Sequence, residues 1–168
     1  MSFLRPFRRA KRTPLSRRLS EALHSASFSR CPWLALGRAG YLPHGGSDEV
    51  WLYGFADGGV AERIRRFHPD GVICAHVYFD VTRIMEVRAQ LEAQGAFSLG
   101  DAAPEVRDGL CVDFAILAGE RENSFAAPHQ LGRAANPQVR LCDYVTELVP
   151  LPRTPGQPDA EDEAPVAY

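Results

Sequence analysis

The chain has 168 residues, 45% of them hydrophobic and 24% charged, a globular composition of single-domain size. No apolar run approaches the roughly 18–20 residues of a membrane-spanning helix. Composition and run lengths therefore argue against an integral helical membrane protein, a long coiled coil and a disulfide-dense miniprotein. The formal charge of −2 is unevenly spread: residues 1–18 carry seven cationic side chains and no acid, residues 19–152 a net −6, and the last sixteen residues a net −3.

Such a basic arm suits nucleic acid or an anionic surface, but it can equally fold back on its own acidic body. Eighteen of the nineteen basic residues are Arg and they are spread along the whole chain, a pattern of GC-rich coding more than of selection for forked donors. The four cysteines, Cys31, Cys74, Cys111 and Cys142, form no Cys-x-x-Cys, so they read as reduced, small core residues. Arg8-Arg9 is not followed by an apolar export segment. Residues 1–30, Arg- and Ser-rich with Glu21 as their one acid, have the composition of an organellar transit peptide, but the preferred reading is a bacterial cytoplasmic protein.

In chain order, residues 1–13 read as a disordered basic arm. Thr13-Pro14 offers an N-cap and a proline for the first helical position. Leu15, Leu19, Ala22, Leu23 and Ala26 then recur at helical spacing, which predicts a helix over residues 14–27. Residues 31–47, punctuated by Pro32, Gly37, Gly40, Pro43 and Gly45-Gly46, read mostly as loop, with a short strand at 33–36. Residues 50–56 and 60–67 flank Asp57-Gly58-Gly59, a hairpin signal. His68-Pro69-Asp70-Gly71 turns into a third strand, 72–79. Ile73, Ala75, Val77 and Phe79 form its apolar face; Val72, Cys74, His76 and Tyr78 form the other.

Asp80 caps a predicted helix over 81–94 with Ile84, Val87, Arg88 and Leu91 on one stripe, and Gly95 stands at the left-handed C-cap position. Residues 110–117 and 122–127 alternate as a second hairpin. Asn136-Pro137 starts a last helix, 137–149, burying Val139, Cys142, Val145 and Val149. Residues 151–168 read as a disordered, Pro-rich acidic tail. The expectation is one α+β domain over 14–150: an antiparallel sheet of about five strands, two hairpins plus one strand, packed on two or three helices.

From Asp80 to Val149 the layout is a helix ending in Gly95-Ala96-Phe97, a loop to Asp108-Gly109, an alternating hairpin and a closing helix. This resembles small bacterial α+β proteins of the emfourin-like kind, inhibitors of thermolysin-type metallopeptidases, and their relatives. The resemblance rests on that layout and on Gly95, Phe97, Asp108 and Gly109, which cap and turn the backbone. It implies a non-catalytic module that binds another protein, and it transfers no inhibitory residue.

Walker, G-x-G-x-x-G, H-E-x-x-H and G-x-S-x-G motifs are absent, so no catalytic residue and no cofactor are assigned. His44-Gly45-Gly46-Ser47 has the look of an esterase oxyanion loop without its nucleophile, and reads as a plain loop. Two constellations carry chemistry. Cys74 with His76, and Cys111 with Asp113, project in pairs from two strands. Were those strands neighbours, the four side chains would suit zinc at about 2–2.3 Å or a Cys–His–Asp nucleophile; the plainer reading is half-buried strand residues. Trp51, Tyr53 and Phe55 share one face of the first hairpin, with Arg63 and Arg65 on its partner strand. Together with Arg8, Arg9, Lys11 and Arg12 they form an aromatic and cationic set suited to single-stranded nucleic acid, although strand aromatics are more often core. The leading expectation is a non-enzymatic, inhibitor- or immunity-like module with a protein partner and no membrane association. A nucleic-acid module is the alternative, and an enzyme or metal site the second alternative.

Overall fold

The computed structural model describes residues 15, 17–19, 32–42, 45–101, 111–128 and 136–152. Four strands run as a meander: β1 (Leu34–Tyr41), β2 (Gly46–Phe55), β3 (Gly58–Phe67) and β4 (Gly71–Phe79). Helix α1 (Val81–Ala93) leads to the hairpin β5 (Cys111–Ala118) and β6 (Arg121–Pro128), and helix α2 (Pro137–Glu147) follows. The strands form one antiparallel sheet in the order β4-β3-β2-β1-β5-β6. The mixed α+β class matches expectation, but among the described residues the strands number six where about five were expected. The arm with Arg8, Arg9, Lys11 and Arg12, the residues 153–168 of the tail and most of the helix expected over 14–27 lie outside the described residues. Leu15 and residues 17–19 are helical.

The additional strand is β1, of which only a short piece at 33–36 was expected and which runs on through a segment whose glycines suggested a loop. Those glycines serve close approach instead. A Cβ on Gly37 would sit 2.8 Å from Cζ3 of Trp51, and one on Gly40 would sit 3.3 Å from Cγ2 of Val112 on β5. At the β2–β3 turn, Gly58 has φ +147°, and a Cβ there would come within 2.5 Å of the Phe79 carbonyl oxygen.

One sheet face carries the main core. Leu34, Leu36, Val50, Leu52, Phe114 and Phe125 bury against Ile84, Val87 and Leu91 of α1 and Val139, Cys142 and Val145 of α2. Phe114 and Phe125 stack at 4.8 Å between centroids. Both helices are capped as predicted: the Asp80 carboxylate accepts from the Arg83 N–H at 2.7 Å, and Asn136 Oδ1 accepts from the N–H groups of Gln138 and Val139. Gly95 adopts φ +83° just beyond α1. On the opposite face, Leu15 and Leu19 pack with Ala35, Trp51 and Ala115.

At one end of the helix-covered face lies a buried ionic cluster. Asp48 accepts from Arg63 Nε (2.9 Å) and Nη2 (2.6 Å) and from Arg65 Nη2 (2.8 Å). Arg38 Nη1 donates to the Asp48 carbonyl at 2.8 Å. Arg63 Nη1 reaches across to the Val149 carbonyl at 3.3 Å, which ties the end of α2 to the sheet. Burial alone would raise the Asp48 carboxyl; the hydrogen bonds from Arg63 and Arg65 and the charges of Arg63 and Arg38 outweigh it and hold its pKa at about 2. Burial lowers the pKa of Arg38.

Candidate functional site: an open sheet edge

The two edges of the sheet are finished differently. Along β6, Asp101 accepts from the Ala126 backbone N–H at 2.9 Å, and Asn123 Nδ2 donates to the carbonyls of Ala96 and Leu99. Arg121 bridges to Glu92 at 2.9 Å and lies 4.0 Å from the Phe97 ring centroid. The segment after α1 thus covers that edge. Along β4, among the described residues, the backbone hydrogen-bonds only toward β3. Its nine residues, Gly-Val-Ile-Cys-Ala-His-Val-Tyr-Phe, contain no proline, Lys, Arg, Asp or Glu, the usual devices that blunt an exposed edge. Tyr78 is 81% and Val72 62% exposed.

Beside that edge, on the helix side, runs a groove of about 500 Å³ lined by Val77, Tyr78, Phe79, Arg83, Tyr144, Glu147 and Leu148. Its lining mixes apolar side chains with Tyr hydroxyls, one cation and one anion. The Tyr144 hydroxyl oxygen is buried without a hydrogen-bond partner, and burial raises its pKa. An extended segment laid along β4 would place alternate side chains in this groove and the others beside Val72, His76 and Tyr78.

The four residues considered for a metal or a nucleophile do not meet. β4 and β5 present their pairs on the same face, but β3, β2 and β1 lie between them; at about 4.8 Å per strand the separation is roughly 19 Å. His76 Nε2 lies 3.0 Å from Glu62 Oε1, and Cys74 is exposed, not half-buried. Asp113 is half-buried, and burial together with the charge of Asp101 raises its pKa. Among the described residues, no three His, Cys, Asp or Glu side chains are grouped to hold a metal ion.

The aromatic and cationic hairpin is also rearranged. Register sets Arg63 opposite Val50 and Arg65 opposite Asp48, whereas Trp51 faces Glu62 and Tyr53 faces Val60. Arg63 and Arg65 therefore lie on the helix-covered face with Asp48, and Trp51, Tyr53 and Phe55 lie on the other. Trp51 is nearly buried, donates to Glu49 Oε2 at 3.2 Å, and has Arg18 stacked 5.2 Å from its ring, itself bridged to Glu49. Burial and the Glu62 charge raise the pKa of Tyr53.

Residues 71–79 were not read from the sequence as a binding edge; Cys74 and His76 were singled out there for other chemistry. A signal was present: 71–79 is a strand-like run without a formal charge apart from His76, while the residues corresponding to it in β3 include Glu62, Arg63, Arg65 and Arg66. Comparison of the chain with models of protein families finds none that matches, and comparison with curated proteins finds none either.

Proposed function

We propose that the chain is a small non-enzymatic protein-binding module, inhibitor- or immunity-like, that takes an extended segment of its partner as a seventh strand on β4. The contrast between the covered β6 edge and the uncharged, hydrogen-bond-ready β4 edge carries this reading. Strand addition gains affinity from main-chain hydrogen bonds, and pockets for alternate side chains supply selectivity. The groove under Tyr144 and Leu148 is such a pocket. The emfourin-like layout of residues 80–149 points to the same class of activity.

The aromatic hairpin favours this reading over the nucleic-acid one. Single strands are gripped by aromatic rings and cations on one surface, whereas Arg63 and Arg65 are turned to the far side of the sheet from Trp51. The test is capture on immobilised full-length chain from nuclease-treated lysate, with Tyr78→Lys in parallel. A defined protein retained by the parent chain and released by the variant supports the proposal. Retention of nucleic acid instead, with an affinity that falls steeply with salt, overturns it.

A further inference from the structure

The β4 edge is complementary to itself. An antiparallel partner strand keeps face with face only where a residue meets its own counterpart at the centre, and the register centred on Ala75 pairs all nine residues of β4. In that register, Tyr78 stands opposite the partner's Val72 on the outer face, an aromatic and β-branched pair of the kind that stabilises sheets. His76 stands opposite the partner's Cys74. On the helix face, Val77 stands opposite the partner's Ile73. The two most exposed apolar side chains of the strand, Tyr78 and Val72, thus cover one another twice across a single two-fold axis.

Charge within the strand permits the same occupant. An acidic or basic strand would find no opposite charge among residues 71–79, whereas the chain's own strand is neutral and meets no like charge within the paired span. A register centred on His76 would instead set imidazole against imidazole. Just beyond each end of the pairing the same register sets Asp70 opposite the partner's Asp80, whose carboxylate is engaged with the Arg83 N–H. The formal charge of −2 per chain adds little long-range repulsion.

We propose that two copies of the chain pair edge to edge along β4 into one continuous twelve-stranded sheet, and that a strand from another protein competes with the second copy for this edge. The inference rests on reading β4 as an open binding edge. Sedimentation equilibrium of the full-length chain over a range of concentrations tests it, alongside Tyr78→Lys and Val72→Asp. Both positions are solvent-exposed, and circular dichroism with urea midpoints checks that each variant keeps its fold. The expected result is a reversible dimer whose dissociation constant rises at least about tenfold in each variant. Association should return when the two variants are mixed, because the Ala75-centred register sets the introduced charges against each other. A parent chain that stays monomeric overturns the inference. So does a dimer insensitive to both substitutions, or one that mixing fails to restore. A monomeric parent chain that still captures a protein, and loses it with Tyr78→Lys, overturns the dimer while leaving the binding edge in place.

Discussion

Arg63 grips both carboxylate oxygens of Asp48, at 2.9 and 2.6 Å, and with its remaining amino group reaches the Val149 carbonyl beyond α2. One guanidinium therefore joins β2, β3 and the chain just after the last helix. The groove beside β4 is lined by Tyr144, Glu147 and Leu148 from that same region, so this buried fork holds one wall of the proposed binding edge. Replacing Asp48 by Asn removes the only carboxylate bonded to Arg63 and Arg65 among the described residues, and leaves buried cations unneutralised. Asp48→Asn should cost about 3–5 kcal/mol, measured from urea midpoints.

The same carboxylate predicts an acid limb. Its folded pKa of about 2 lies below the ordinary 3.8, so the folded state holds the ionised form more strongly than the unfolded state does. That contribution is complete above about pH 4 and fades as pH falls through the unfolded value toward about 2. The stability gap between the parent chain and Asp48→Asn should therefore shrink steadily between those limits. A gap independent of pH over that window would show that Asp48 does not titrate with a lowered pKa.

Ile84 and Leu91 are fully buried on the inward stripe of α1. Ile84→Ala and Leu91→Ala should each cost about 2–5 kcal/mol. Unchanged urea midpoints in both would mean that α1 does not pack on the sheet as described.

Much of the architecture is written locally. The β2–β4 meander shows as turn residues between alternating strands, and both helices announce themselves through Asp80, Asn136-Pro137 and Gly95. β1 was legible only as a short strand at 33–36, because Gly37 and Gly40 have the local character of loop residues. Their roles, lying under the Trp51 ring and against Val112, depend on contacts with the neighbouring strands β2 and β5. The site was less legible for a related reason. Alternation correctly placed Cys74 with His76 and Cys111 with Asp113, but strand order is set by the crossover of α1 from one sheet edge to the far side of β1. The facing of Arg63 relative to Trp51 depended on pairing register, and a one-residue difference in register exchanges the faces.

The close approach at Gly37 gives a direct check on β1. Gly37→Ala places a methyl group against the Trp51 ring and should cost about 1–3 kcal/mol by overpacking. In a Trp51→Leu background, which removes the ring, the same substitution should cost much less. An equal cost in both backgrounds would argue that Gly37 does not lie beneath Trp51.

Amide hydrogen exchange across residues 71–79, with and without the protein captured by the immobilised chain, tests the binding edge most directly. Strand addition supplies new hydrogen bonds to the outward amides of β4, so at a concentration where the free chain is monomeric exchange there should slow markedly on complex formation, while residues 121–128 of the covered edge stay unchanged. A complex that protects another surface and leaves 71–79 exchanging at its free rate would contradict the account.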